Sequence, residues 1–291
     1  MKLLNMVKEW RLDESVTLYS FLIFGILLSG KKFLDIIAST DYLTNAIVLH
    51  ISFFLLLISF FFALNDFFDF ELDSLNKNTR NALVKGILSK KSMFALMMVT
   101  GLAGIVLTYF INLYVFALVV LTFFSVYLYS GMPFRFKGKP FVDLLTHSLP
   151  GYFLVMVGFL TFAAFDFKII YYSLVGFLFF VVICIAQEMR DYETDKKAGL
   201  RTTVITLGLE KSMMLMKALS IAAYVLTAYI LITISFKFIP FLCAGLPFLI
   251  ILLLTKKEDA INFLKKTSVW SQMTSLIIVA LALVYALFGL I

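Results

Sequence analysis

Nine stretches of the chain are apolar over close to the length that crosses a lipid hydrocarbon core, and they decide which folds are open to it. They run Ser15–Gly30, Tyr42–Leu64, Ser92–Ile111, Leu113–Ser130, Phe141–Ala164, Ile169–Gln187, Ser212–Ser235, Phe238–Leu254 and Val269–Leu290. A spanning helix needs about 20 such residues. Lipid offers no water to exposed backbone groups, and the runs are too long for tilted barrel strands, so each is predicted to be α-helical. Composition points the same way: 62% of the residues are hydrophobic, 15% are charged, and 33 of 291 are Phe. That is more apolar matter than a soluble core of this size can hide. The expectation is an all-α polytopic membrane protein forming a single domain over residues 1–291. Cys184 and Cys243 both fall inside apolar runs, which fits small apolar fillers better than a disulfide framework or a zinc site. The N-terminus, "MKLLNMVKEWRLDE", is amphipathic and charged, so the first span is expected to stay as an anchor instead of being cleaved as a signal peptide.

Orientation is read from the basic residues. One side would carry Lys2, Lys8 and Arg11, then Lys77, Arg80, Lys85, Lys90 and Lys91, then Arg135, Lys137 and Lys139, then Arg190, Lys196, Lys197, Arg201 and Lys211, and finally Lys256, Lys257, Lys265 and Lys266. The other side would carry only Lys31, Lys32, Lys168 and Lys237. Lys and Arg favour cytoplasmic loops, which places the N-terminus and the loops after the second, fourth, sixth and eighth spans in the cytoplasm. The net charge of +7 is then a matter of topology and of attraction to anionic lipid or substrate, with no nucleic-acid footprint.

Two acidic clusters end spans on that same side. In "NDFFDFELD", Asp66, Asp69 and Asp73 stand at i, i+3 and i+7, one face of a helix. In "EMRDYETDKKAG", Asp191 and Asp195 stand at i and i+4. Like charges at these spacings repel unless cations sit among the oxygens. Hard oxygen donors select magnesium, manganese or calcium, and magnesium commonly takes a few carboxylates and fills its remaining positions with water and phosphate. A diphosphate bridged through metal between the clusters fits that pattern. A calcium loop does not: Phe68 and Phe70 occupy ligand positions and Glu71 stands where the turn requires Gly. Solvated helix ends are the plainer reading of either cluster alone, and two clusters on one face argue against it.

"NDFFDFELDSLN" matches the N-D-x-x-D-x-x-x-D signature, and "RDYETDKKAGLRTTVITLG" the D-x-x-x-D signature, of the UbiA superfamily of intramembrane prenyltransferases, which this chain resembles. "TRNALVKGILS" resembles the family's Arg-Pro-Leu segment and "YSGMPFRFKGKP" its Tyr-Ser-x-Pro-Pro segment. The resemblance implies a bundle of nine transmembrane helices around a central cavity, capped on the cytoplasmic side by the loops after the second and sixth spans. It also implies two magnesium ions, with manganese able to substitute, and a polyprenyl diphosphate donor. Carried over by position, Asn65, Asp66, Asp69 and Asp73 form one diphosphate-metal site and Asp191 and Asp195 the other. Arg80 and Lys137 lie in motif-matching loops and are candidate diphosphate contacts, and Tyr129 belongs to the Tyr-Ser segment. Asn81 in place of the usual Pro, Lys85, and Asp143 where many members have Gly or Asn depart from the family pattern.

The implied reaction ionises an allylic carbon–oxygen bond. Metal and cationic side chains stabilise the departing diphosphate, and the cation is captured with water kept out. Acceptors among relatives range over quinone-precursor aromatics, glycerol lipids, tetrapyrroles and carotenoid ends, so the expected partners are a prenyl diphosphate, a lipophilic acceptor and membrane lipids, with no protein partner inferred. His147, near one end of the fifth span, could touch substrate, whereas His50 reads as an ordinary hydrogen-bonded residue. Three alternatives stand beside this reading. A CDP-alcohol phosphotransferase would need one continuous acidic motif, and here the carboxylates are more than a hundred residues apart. A cation transporter would place its ionisable groups near mid-membrane on broken helices. A carotenoid-type prenyl elongase would share the donor chemistry.

Overall fold

A computed structural model describes residues 12–75, 79–234 and 239–255. Among these residues the regular structure is helical and no strand occurs. The elements are α1 (Leu12–Leu28), α2 (Phe33–Ala38), α3 (Thr40–Leu56), a π-helical turn (Leu57–Ala63), α4 (Leu64–Phe68), α5 (Phe70–Ser74), α6 (Lys90–Tyr109), α7 (Leu113–Ser130), α8 (Val142–Phe162), α9 (Lys168–Arg190), α10 (Tyr192–Lys197), α11 (Thr203–Leu207), α12 (Leu209–Ile234) and α13 (Ile239–Leu254).

Six helical stretches of the described residues are long and apolar enough to cross a membrane, the longest running from Thr40 to Phe68 through the π-helical turn. The first and eighth expected spans appear as shorter apolar helices, Ser15–Leu28 and Gly245–Leu254. The ninth, with Lys77, Lys237 and the basic residues at 2–11 and 256–266, lies outside the described residues. Asn112 separates the third and fourth spans as read from the sequence. Its side chain caps α7 by accepting the Val115 N–H at 2.9 Å, and its amide nitrogen donates to the Leu160 carbonyl at 2.8 Å.

The bundle is organised about α8, which packs against α1, α7 and α9 and buries most of its length. Small residues make this possible. A Cβ added to Gly158 would lie 2.1 Å from the Leu22 carbonyl oxygen, and one added to Gly151 would lie 2.6 Å from that of Gly176. Backbones touch there, which is how helices gain dispersion contact where lipid removes the hydrophobic drive. Hydroxyl groups tie α3 and the π-helical turn to α6: Ser52 Oγ donates to the Gly104 carbonyl and Ser59 Oγ to that of Met97, each at 2.7 Å.

The π-helical turn positions the first acidic segment. Its last bond returns the Leu64 N–H to the Ser59 carbonyl, five residues back. Such a wide turn shifts everything after it around the helix axis relative to an unbroken α-helix. Asp66 and Asp69 emerge buried, 6% and 1% exposed, where a helix end in water would expose them.

Candidate active site

The first segment breaks its helix at Asp69, which leaves helical geometry at φ −93° and ψ 9°. That break turns the Asp69 carboxylate into the loop between α7 and α8. There the Lys137 ammonium hydrogen-bonds Asp69 Oδ2, and Arg135 Nη2 lies 3.5 Å from Asp69 Oδ1. Burial alone would pull the Lys137 ammonium down. The charge and hydrogen bond of Asp69, and then Asp195 and Asp73, outweigh it and hold Lys137 above the ordinary lysine value. One cation therefore feels both acidic segments, although they lie more than a hundred residues apart in the chain.

Asp195 experiences the same crowding from the other side. Burial pushes its carboxyl up to about 6; Lys137 opposes the shift, Asp191 and Asp69 add to it, and Arg190 opposes it weakly. Asp191 stands at the rim with its side chain 44% exposed, and Arg190 grips it through Nε at 3.1 Å and Nη2 at 3.0 Å. An exposed pair between neighbours adds little stability, but it leaves Asp191 facing out beside the buried Asp195.

Further contacts hold the segments in place. Ser130 Oγ donates to Asn65 Oδ1 at 3.2 Å. Asn81 is fully buried. Its amide nitrogen donates to the Asp66 carbonyl and to Asp73 Oδ2, both at 2.8 Å, while its Oδ1 accepts the Leu83 and Val84 N–H groups at 2.9 and 3.3 Å. The Ala82 N–H donates to Asp66 Oδ2 at 3.0 Å. A proline at position 81 has no side chain able to make these bonds, so this departure from the family pattern serves as a joint between segment and loop. Asp143, another departure, is also fully buried. Its Oδ2 accepts the Thr203 N–H at 2.7 Å, its Oδ1 accepts the Leu144 N–H at 2.7 Å, and the Thr203 hydroxyl donates to Oδ1 as well.

Tyr129 is buried behind this group, its ring stacked on that of His147 with centroids 4.1 Å apart, and Phe180 meets the imidazole edge-on at 5.7 Å. His50 is elsewhere: its Nδ1 lies 2.6 Å from the Ala46 carbonyl, as an ordinary helix contact. Arg80 is exposed, one residue before Asn81.

Two residues of the site escape the sequence reading. In the sequence Arg135 stands out only as a topological charge. It has φ +36°, an unfavourable backbone for any residue with a Cβ, and its buried Nε has no partner. A buried guanidinium nitrogen without an acceptor is costly and suits an anion contact. Glu188 is 6% exposed and accepts the Val204 N–H at 3.1 Å. The signal for it was present: Glu188 precedes Asp191 by three residues, as Asp66 precedes Asp69.

Among the described residues no three carboxylate, imidazole or thiol groups close around a metal position. The donor set nonetheless suits magnesium, which typically needs only one or two carboxylates beside water and phosphate oxygens. It consists of oxygen alone, and burial first, then Asp191 and Asp69, lifts the Asp195 carboxyl, a cost that a divalent ion beside it would offset.

A family model, the UbiA prenyltransferase family, matches residues 18–262. Among curated proteins, digeranylgeranylglyceryl phosphate synthase of Thermococcus kodakarensis is 28% identical over 179 residues, 61% of this chain and 58% of that protein. The Pyrococcus furiosus protein of the same name is 30% identical over 150 residues, 51% of this chain and 52% of that one. The chain thus spans little more than half the length of these curated relatives. Among solved structures, the apo form of a UbiA homolog from Aeropyrum pernix K1 superposes with TM-score 0.72 at 19% identity, covering 95% of this chain and 99% of that one. A UbiA homolog from Archaeoglobus fulgidus bound to GPP and Mg2+ gives TM-score 0.66 at 20% identity, covering 94% and 99%. A family match over most of the chain, on a fold shared along nearly its whole length, establishes that this protein belongs to the UbiA prenyltransferase family.

Proposed function

We propose that the chain is a magnesium-dependent membrane prenyltransferase that moves an isoprenyl group from its diphosphate onto a hydroxyl of a glycerol-phosphate lipid. The observation that carries this reading is Lys137, held by Asp69 and within electrostatic reach of Asp73 and Asp195. Such convergence draws two distant segments onto one cation. Support for a glycerol-lipid acceptor, over an aromatic or tetrapyrrole one, comes from the name shared by the curated relatives.

Asn65, Asp66, Asp69 and Asp73 would hold one magnesium and Asp191 and Asp195 a second, with manganese as a substitute. Bound metal supplies charge neutralisation on the departing diphosphate. Lys137 and Arg135 would donate to the same oxygens, the latter through an Nε that otherwise lacks an acceptor. When the allylic carbon–oxygen bond breaks, its electron pair leaves with the diphosphate. These fixed donors face the charge where it develops, which is where electrostatic stabilisation acts most strongly. The stacked Tyr129 and His147 rings form an aromatic wall beside the site. The acceptor oxygen then bonds the allylic carbon, and its hydroxyl proton passes to the released diphosphate, which leaves as the protonated anion. Capture of the cation by the acceptor requires that competing water be kept out. In this reading nine transmembrane helices enclose a central cavity, and the segments 79–89 and 198–208 cap it on the cytoplasmic side, facing the soluble end of the donor.

The test uses purified protein in nanodiscs with geranylgeranyl diphosphate, magnesium and a panel of acceptors, with products read by mass spectrometry. Prenylated glycerol-phosphate lipid formed with magnesium and absent with chelator is the expected result. Undiminished turnover in chelator would overturn the metal requirement. Products formed only on an aromatic acceptor, or by lengthening of the diphosphate's own chain, would overturn the acceptor assignment.

A further inference from the structure

The two acidic segments are copies of one unit. Aligned without a gap, Asn65 to Gly86 and Gln187 to Gly208 set amide on amide, carboxylate on carboxylate at four places, and glycine on glycine. The carboxylate pairs are Asp66 with Glu188, Asp69 with Asp191, Glu71 with Glu193, and Asp73 with Asp195.

The geometry repeats along with the sequence. Asp191 leaves its helix at φ −93° and ψ 5°, within a few degrees of Asp69 at φ −93° and ψ 9°. Each opens a short helix, in which the Asp73 N–H returns to the Asp69 carbonyl at 2.8 Å and the Asp195 N–H to that of Asp191 at 2.9 Å. Sixteen residues after the first acid, the chain comes back to it: the Ala82 N–H donates to Asp66 Oδ2 at 3.0 Å, and the Val204 N–H to Glu188 Oε2 at 3.1 Å. Four residues later each loop turns at a positive-φ glycine, Gly86 at +67° and Gly208 at +78°. The residues just before the clamped N–H groups, Asn81 and Thr203, also match, and each pins its loop through its side chain. Asn81 reaches the Asp66 carbonyl and Asp73, and Thr203 reaches Asp143, whose carboxyl in turn meets that of Glu188.

We propose that Asp66 and Glu188 are matched positioning residues, each clamping the loop that follows its own segment. Asp69 with Asp73 and Asp191 with Asp195 are thereby left to meet metal and diphosphate. The proposal rests on the site assigned to the prenyl-transfer reading and narrows it: Asp66 moves from ligand to clamp, and Glu188 joins it as a residue that a two-aspartate motif passes over. Both clamps are 6% exposed, as suits carboxylates that serve backbone donors. What they need from the side chain is an acceptor oxygen, and an amide supplies one as well as a carboxylate does. A carboxylate that binds magnesium contributes its charge as well as an oxygen, and an amide in its place keeps only the oxygen.

That difference makes the test. In the full chain in nanodiscs, the set is Asp66→Asn, Asp66→Ala, Glu188→Gln and Glu188→Ala, with Asp69→Asn and Asp191→Asn as ligand controls. Hydrogen exchange reads the Ala82 and Val204 amides. Magnesium titration in inorganic diphosphate, followed by thermal shift, reads the metal. Each alanine variant should speed exchange of its own loop by about tenfold or more, the scale of a lost buried hydrogen bond, and leave the other loop unchanged. The amide variants should restore protection and keep the parent's magnesium half-saturation, whereas Asp69→Asn and Asp191→Asn should raise it by about tenfold or more, as loss of a charged ligand does. Unchanged exchange in the alanine variants would overturn the clamps. Amide variants that raise the magnesium requirement as much as the controls do would make Asp66 and Glu188 ligands after all. Neither readout needs turnover, so a failure to detect prenyl transfer would count against the catalytic reading and leave the clamps to be judged on their own.

Discussion

Replacing Lys137 with Met keeps most of the apolar stem of the side chain and removes the ammonium, with its charge and its hydrogen bond to Asp69. Asp69 is 1% exposed and the Lys137 side chain 15%, so the pair is buried, and removing one partner of a buried pair costs about 3–5 kcal/mol. Arg135 remains 3.5 Å from the other Asp69 oxygen and retains part of the compensation, which favours the lower end, about 3 kcal/mol. At about 2–4 °C per kcal/mol, magnesium-free K137M should melt about 6–12 °C below the parent. Magnesium should then stabilise the variant more than the parent, because the metal no longer competes with an ammonium for Asp69. A tenfold gain in affinity would add about 1.4 kcal/mol at saturating metal, or about 3–6 °C. Turnover should nonetheless fall by about a hundredfold or more, the scale of one lost transition-state contact. Paired melts in detergent with and without magnesium, followed by intrinsic fluorescence, and product mass spectrometry decide the matter. Equal magnesium shifts in parent and variant would refute competition for Asp69, and an unchanged magnesium-free Tm would refute the ion pair as a support of the fold.

If the acidic segments act on one diphosphate, Asp69→Ala and Asp191→Ala should each lower turnover by about a hundredfold or more, and the double variant should be little worse than the poorer single; losses that multiply would mean separate sites. Asn81→Ala removes bonds to the Asp66 carbonyl, to Asp73 and to two N–H groups, and it should lower the opening free energy of the 79–88 loop by about 3 kcal/mol, or about 150-fold in exchange; unaltered exchange of the Leu83 amide would show that the joint is not needed. Cysteines introduced at Lys85 and Lys196 should label from the cytoplasmic face of sealed vesicles and one at Lys168 from the opposite face, and labelling of Lys85 and Lys196 from opposite sides would rule out the shared site.

The membrane class and most span positions were legible in the sequence because lipid imposes a coarse requirement, length and apolarity, that a linear reading can count. Ser15–Gly30 marks the limit of counting: its helix, α1, is a short apolar one packed on α8, so burial by protein shares the role of lipid. The acidic residues were legible from their spacing, but their division of labour was not. Whether an oxygen faces metal or a backbone N–H sixteen residues away depends on how the loop returns, and no local pattern encodes that return. Asp143 in α8 and Thr203 at the start of α11 lie 60 residues apart, so their bond depends on how the chain returns after α10. Asn81 and Asp143 entered as departures from a family pattern, and the structure shows both as buried joints. The π-helical turn left no trace that periodicity could detect, since its residues are as apolar as those around it.

The enclosure of α8 bears on how the chain is made. Of the six long spans, Val142–Phe162 has the lowest hydropathy, 1.4, and the largest buried share, 72%. Asp143, Thr146, Ser148, Pro150 and Thr161 lie along it, all buried. A nascent segment of this kind partitions into lipid less readily than its neighbours of hydropathy 2.0 and 2.6. Its stable home is the sleeve formed by α1, α7 and α9, and α9 is synthesised after it. On this ground α8 is expected to linger at the translocon until α9 arrives, and slowing translation once α8 has left the ribosome and before α9 follows it should lengthen the interval in which α8 can be crosslinked there.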